Sequence, residues 1–277
     1  VVMDDDIKFL VFDIETVPDG ELISRIRYPG EQLEAQAAIE KYQQELLETK
    51  GSDFIPQTYH LPVSVVIGKV NSRYELVDLV ALDEQQGRSH IITQHFWKGW
   101  EKYRATLVTF NGRGFDLPVM ELAAFRYGIS LEKWFEINRK SFDQPRNRFN
   151  LRSHFDVQEV LSNFGASRMI GGLNLMANLI GKPGKMDIAG DMVHELFNAG
   201  KLQRIHDYCR CDVLDTYFVF LRTSVLAGNL QLDQEQQVVR KTREWLESRC
   251  EEYPIYQQYL DNWGDWENPW MKSQDSD

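Results

Sequence analysis

A chain of 277 residues, 43% of them hydrophobic, can bury a full core and reads as one domain with additions. Its formal net charge of −11 argues against a broad basic surface for nucleic acid, though it leaves room for a local basic strip. No apolar stretch approaches the length of a membrane span, no signal-peptide pattern opens the chain, and three cysteines make no disulfide framework. Free thiols suit a reducing compartment, here the cytoplasm. The Val1-Val2 start reads as a trimmed end.

The first element is an almost unbroken apolar run over residues 7–14, which predicts a strand buried on both faces. Asp13 and Glu15 are two apart at its end, so their carboxylates project to the same side. Two buried carboxylates are costly without a cation, which points to a divalent metal; the plain alternative is a strand running into a solvated acidic loop at Pro18-Asp19-Gly20. Residues 21–50 have helical composition with Leu33, Ala37, Ile39, Tyr42 and Leu46 spaced on one side, a helical insertion after the first strand. Val63 to Val70 and Glu75 to Leu82 follow as strands joined by the polar turn 71–73, making an antiparallel three-stranded meander with the first. A helix then carries Trp97 and Trp100, and Ala105 to Phe110 is the next strand.

That strand runs into a glycine-punctuated turn, Asn111-Gly112-Arg113-Gly114-Phe115, after which Asp116 opens a helix as its expected N-cap, with Pro118 in the first turn. Between 139 and 154 lie Arg139, Lys140, Arg146, Arg148, Arg152 and His154, opposed by Asp143 and interleaved with Phe142 and Phe149. This is either a strip for gripping a single strand or a solvated loop. His154 to Val157 reads as a short last strand, with Asp156 capping the next helix. Residues 181–185, Gly-Lys-Pro-Gly-Lys, stop a helix that starts near Gly171; the Walker pattern is absent, although Lys182 and Lys185 stay within reach of a phosphate. A long helix spans Leu202 to Leu226, with Tyr208 and Asp212 four apart on one face. Cys209 and Cys211 point to different sides of it, which disfavours zinc. Gln231 to Glu247 is a polar helix. Trp263, Trp266 and Trp270 suggest a tail that docks on the domain or on a partner, with 272–277 disordered.

Asp116 alone reads as a helix cap and Asp212 alone as an exposed acid. In order, however, Asp-x-Glu on a first strand, Asn-x-x-x-Phe-Asp at a strand-to-helix turn and Tyr-x-x-x-Asp late on a helix resemble the DEDD exonuclease superfamily. The run Phe110-Asn111-Gly112-Arg113-Gly114-Phe115-Asp116-Leu117-Pro118 is similar to its tyrosine (DEDDy) branch, as in the exonuclease domain of family-B DNA polymerases. A histidine-branch member would carry His where Asp207 stands; His206 is off by one. The resemblance spans about Lys8 to Leu221.

It implies an α/β, RNase H-like mixed sheet flanked by helices, with residues 1–226 as the exonuclease domain and 227–277 as a helical extension and tail. It also implies that Asp13, Glu15, Asp116 and Asp212 hold two Mg²⁺ ions, about 3.5–4 Å apart, with Mn²⁺ able to substitute. Asp13 would bridge the ions, Glu15 and Asp212 complete the nucleophile-side site, and Asp116 support the leaving-group side. Tyr208 would orient the attacking water, and Ile14, Thr16, Asn111 and Phe115 would touch the terminal nucleotide, with Arg146 and Arg148 from the basic strip. The implied reaction is 3′→5′ hydrolysis of a single strand, DNA favoured, to nucleoside 5′-monophosphates. Any proofreading role would need a separate polymerase or repair partner. A binding module without catalysis and an endonuclease on the same fold are the competing readings.

Overall fold

The opening apolar run becomes β1 (Ile7–Pro18), the central strand of a five-stranded sheet. The computed structural model describes residues 6–186 and 192–271, so the expected disorder of 272–277 lies outside the described residues. After β1 the chain forms α1 (Gly20–Arg27) and α2 (Ala35–Lys50), then β2 (His60–Asn71) and β3 (Leu76–Ala81). The next elements are α3 (Ser89–Tyr103), β4 (Thr106–Thr109), α4 (Asp116–Tyr127) and α5 (Glu132–Phe135). β5 (His154–Asp156) leads into α6 (Val157–Leu161), α7 (Gly172–Leu179), α8 (Val193–Asn198) and α9 (Leu202–Leu226). α10 (Leu232–Glu247) and α11 (Pro254–Asp261) complete the described chain.

The sheet is mixed, in the order β3-β2-β1-β4-β5. β1 pairs antiparallel with β2, and β2 with β3, which is the meander read from the sequence; β4 and β5 add parallel to it. β1 outruns its expected end because it keeps pairing with His60–Pro62 after a register shift between Glu15 and Thr16. Irregularities of this kind concentrate beside active sites, where they re-aim side chains.

Strand alternation decides the two core layers. Leu10, Phe12 and Ile14 of β1 pack with Phe96, Trp97 and Trp100 of α3, Met120 of α4, and Trp134. Val11 faces the opposite way, into a larger layer built on α9 that also holds Leu246 of α10 and Tyr256 and Tyr259 of α11. The insertion has its own small core: Ile23 and Tyr28 close on Ala38, Ile39, Tyr42 and Leu46 of α2, and on Ile55.

Phe220 ties α9 to the sheet, packing at a tilt against Phe9 of β1 (ring centroids 5.0 Å apart) and Tyr74 before β3 (5.7 Å) and edge-on against Phe155 of β5 (5.4 Å). Phe220→Ala should therefore destabilise the fold by about 3–5 kcal/mol, read as a lower midpoint in urea unfolding. A loss below about 1 kcal/mol would show that α9 is held by other side chains.

Candidate active site

The parallel register of β1 with β4 ends at Val11 opposite Val108. Beyond that point no further pairing of β1 with β4 occurs among the described residues, and here lie the carboxyl ends of the parallel strands, where open α/β sheets place their ligands. Asp13 and Glu15 stand there, on the same side of β1 as Val11 and hence facing α9. From α9, Cys209 inserts its thiol between them: Sγ donates to the Asp13 carbonyl at 3.3 Å and approaches Asp13 Oδ2 at 3.8 Å. One potential ligand atom from each of Asp13, Glu15 and Cys209 lies within 4.8 Å of the other two. Tyr208 and Asp212 flank Cys209 on the same helix, and the Tyr208 hydroxyl is turned toward the Asp212 carboxylate.

Asp116 reaches the cluster from the start of α4, where its carboxylate is drawn to the backbone N–H of Ile14. It is the first helical residue and not the cap. Phe115 takes the cap position without a side-chain bond, which leaves the Asp116 carboxylate free to face the other acids. The preceding turn is tightly built. Asn111 adopts φ +63°, and a Cβ on Gly112 would fall 2.4 Å from Thr109 Oγ1. Asp156 fastens this turn from β5: its carboxylate accepts from the backbone N–H groups of Asn111 (3.0 Å) and Arg113 (2.9 Å). It also caps α6 through Gln158 (3.1 Å) and Glu159 (3.3 Å).

The electrostatics match the crowding. Burial, then the charges of Asp116, Asp212 and Glu15, push the Asp13 carboxyl well above the usual range. Glu15 is raised likewise by burial and by Asp212 and Asp116. Burial lifts Asp116 to about 7 and Asp212 to about 6. Burial and the neighbouring carboxylates also raise the Tyr208 hydroxyl far above its ordinary value, so it stays a proton donor. The Cys209 thiol is pushed up by burial and by Asp13, Glu15 and Asp212, so it too stays protonated and donates.

A family model described as a predicted 3′-5′ exonuclease related to the exonuclease domain of PolB matches residues 52–263. The chain belongs to this exonuclease family. The matched range takes in Asp116, Tyr208 and Asp212, while Asp13 and Glu15 precede it. Among solved structures, the family B DNA polymerase from the hyperthermophilic archaeon Pyrobaculum calidifontis is similar, with a TM-score of 0.50 and 14% identity over 79% of this chain. At that identity the likeness speaks for the fold, and the chain spans 24% of the polymerase. No curated protein sequence matches.

Beside Glu15 the exonuclease has a cavity of about 380 Å³. Ile14, Thr16 and Phe115 line it, as do Phe54 and His60. The three rings form a cluster, with His60 5.7 Å from Phe54 and 5.8 Å from Phe115. His60 is fixed as a neutral ring: Nε2–H donates to the Ile55 carbonyl (3.0 Å), so Nδ1 accepts from the Thr16 hydroxyl (2.7 Å), and burial pulls its pKa down to about 4. Asn111 does not line this cavity; it belongs to the turn held by Asp156.

Part of the 139–154 run, read as a gripping strip or a solvated loop, is engaged in ion pairs while its arginines stay about half exposed. Arg146 forms a bidentate pair with Glu121 of α4, and Arg148 pairs with Glu159 of α6, while Arg139 pairs with Glu136. His154 is buried in β5, with Nε2 2.8 Å from Thr109 Oγ1, and burial keeps it neutral. Lys182 is buried, whereas Lys185 is exposed and acts on Asp212. Trp263 and Trp266 dock back on the domain, against Phe218 and Arg222, but Trp270 is 74% exposed. Sequence reasoning missed Cys209, Phe54 and His60, which meet the site only through tertiary packing. It placed Asp156 at a helix cap but missed its grip on the turn.

Removing that grip tests the turn. Asp156→Ala leaves four backbone N–H groups without their acceptor, so stability should fall by about 1–3 kcal/mol, measured by denaturant unfolding. Where the variant is folded, exonuclease turnover should fall with it as Asp116 loses its placement. Unchanged turnover would show that Asp116 holds its position without the turn.

Proposed function

We propose that this chain hydrolyses single-stranded nucleic acid from the 3′ end, with two divalent cations, releasing nucleoside 5′-monophosphates. The convergence of Asp13, Glu15, Asp116 and Asp212 with Tyr208 in one buried cluster carries this reading. All four carboxyls are raised by burial, three of them also by one another, the state expected of a cation site without its counter-charge. The donor set is all oxygen, because Cys209 keeps its proton, and that suits Mg²⁺ or Mn²⁺ better than zinc. When bound, the ions lower the pKa of an attacking water and stabilise the departing 3′ oxygen.

The chain's own residues do the rest. Asp13, Glu15, Asp116 and Asp212 would hold the ions. Tyr208 keeps its proton and would orient the attacking water by a hydrogen bond, without serving as a base. The Phe54, His60 and Phe115 rings offer stacking faces for the terminal base, and Ile14 and Thr16 form the floor of the same cavity. DNA is the favoured strand, by analogy with a DNA polymerase's exonuclease domain.

Digestion of 5′-labelled single-stranded DNA and RNA with Mg²⁺ tests the reaction. A ladder shortening from the 3′ end should appear, and should vanish with EDTA and in Asp13→Asn; internal cuts would instead indicate an endonuclease. Tyr208→Phe should cost orders of magnitude less than Asp13→Asn, since water orientation alone is lost. Equal collapse of the two would assign the tyrosine a direct chemical role.

The metal itself has a stability signature. The cluster's carboxyls are raised in the fold, so without metal the native state holds protons that the unfolded chain has released. That contribution is complete below the ordinary values of 3.8 for Asp and 4.5 for Glu, and is lost as pH rises through about 6 for Asp212 and about 7 for Asp116. Mg²⁺ should therefore raise the melting temperature more at about pH 8 than at about pH 5, and the difference should shrink in Asp13→Asn. An Mg²⁺ effect independent of pH would remove the carboxylate cluster as the binding site.

A further inference from the structure

The loop 181–185 leads away from the carboxylates along α9. Lys185 stands at its near end, exposed, and its charge acts on Asp212. At its far end Lys182 is only 5% exposed, its ammonium 4.2 Å from the Trp263 ring and 5.2 Å from that of Phe218. One bond, from Nζ to the Ile180 carbonyl at 3.3 Å, engages one of its three donors. The ammonium faces a hollow of about 130 Å³, walled also by Arg222, Arg240 and Arg243 and by Trp266.

Two of the four cations at the hollow are paired with acids and two are not. Arg222 forms a bidentate pair with Glu235 (3.1 and 3.3 Å), and Arg243 pairs with Glu247 (3.2 Å) and, at 4.0 Å, with the 87% exposed Asp265. Among the described residues, Lys182 and Arg240 form no ion pair, in a protein whose net charge is −11. The tryptophans hold the cations in place, with Arg222 4.2 Å from the Trp266 ring. Burial draws the Lys182 pKa down to about 8, against the opposing pull of Glu235, Asp215 and Asp265.

We infer that this hollow is an anion subsite that takes a backbone phosphate of the bound single strand, a few nucleotides from its 3′ end. The inference rests on the exonuclease reading and extends it. Asp212 and Arg222 are ten residues apart on α9, about 15 Å of helix. Lys185 bridges the interval. A strand with its scissile phosphate at the carboxylates would pass Lys185 before its next anchored phosphate enters the hollow. The subsite reads charge and spacing, not sequence, and Arg240 and Arg243 at its rim are exposed and outside the core, Arg243 giving up its surface pairs with Glu247 and Asp265 when reversed.

The experiment measures binding of a trinucleotide and of a dodecamer to Asp13→Asn, alone and with Arg240→Glu and Arg243→Glu added, by fluorescence anisotropy across a salt series. Dodecamer affinity should fall about tenfold or more, with a salt slope shallower by about 0.7 for each phosphate that the subsite no longer neutralises. Trinucleotide affinity should hold. In the Asp13 protein the same pair of changes should raise KM for the dodecamer and leave kcat unaltered. Equal losses on both lengths, or no loss on the dodecamer, would overturn the subsite. So would tight binding of inorganic phosphate in the hollow, followed by tryptophan fluorescence, with no length dependence of strand binding. Wild-type protein that binds the dodecamer through the hollow yet cuts neither length would sink the exonuclease reading instead.

Discussion

Mutual repulsion among four carboxylates is the constraint around which this protein is arranged. Asp13, Glu15, Asp116 and Asp212 come from a strand, a helix start and a second helix, and each is held where burial raises its pKa. Left to themselves these groups would move apart and hydrate, so the surrounding structure has to over-determine their positions. It does so with backbone and packing. β1 is fixed by strands on both sides up to Val11, and α9 is bedded on the sheet through Phe220. The turn before Asp116 is tied by the Asp156 carboxylate.

Two protonated groups soften the repulsion without adding charge. The Cys209 thiol and the Tyr208 hydroxyl both lie among the acids, and both are kept protonated by burial and by those same acids. Each gives a hydrogen where another carboxylate or a free thiolate would add to the problem. A thiolate would be a soft ligand, whereas a protonated sulfur donating to Asp13 leaves oxygen as the donor type of the cluster.

The elements outside the sheet motifs contribute the walls of the site. The segment between β1 and β2 closes on a small core of its own and brings Phe54 against His60 and Phe115. At the other end, α10 and the tryptophan segment share α9's core layer and surround Lys182 with Trp263, Trp266 and three arginines. The cluster and the hollow therefore lie on one continuous helix, α9, which carries Tyr208, Cys209 and Asp212 early and Arg222 late.

The parts of the site legible in the sequence are those with a local period behind them. Alternation in a strand puts Asp13 and Glu15 on one side, helical spacing puts Tyr208 and Asp212 on one face, and a glycine-rich turn after a strand announces Asp116. The strand order of the meander and the span of the long helix were readable for the same reason. Whether a charged side chain is free was not readable, because that depends on residues distant in the chain. Arg146 meets Glu121 and Arg148 meets Glu159, so part of the charge in the basic run of 139–154 is shared with helices the sequence could not place beside it. Cys209, inert by helical spacing, became part of the cluster once α9 crossed β1, and Lys182 passed from loop to buried wall once Trp263 folded back. Local periodicity sets which way a side chain points. Only tertiary packing sets what it meets, and burial and charge, which govern the chemistry here, belong to that meeting.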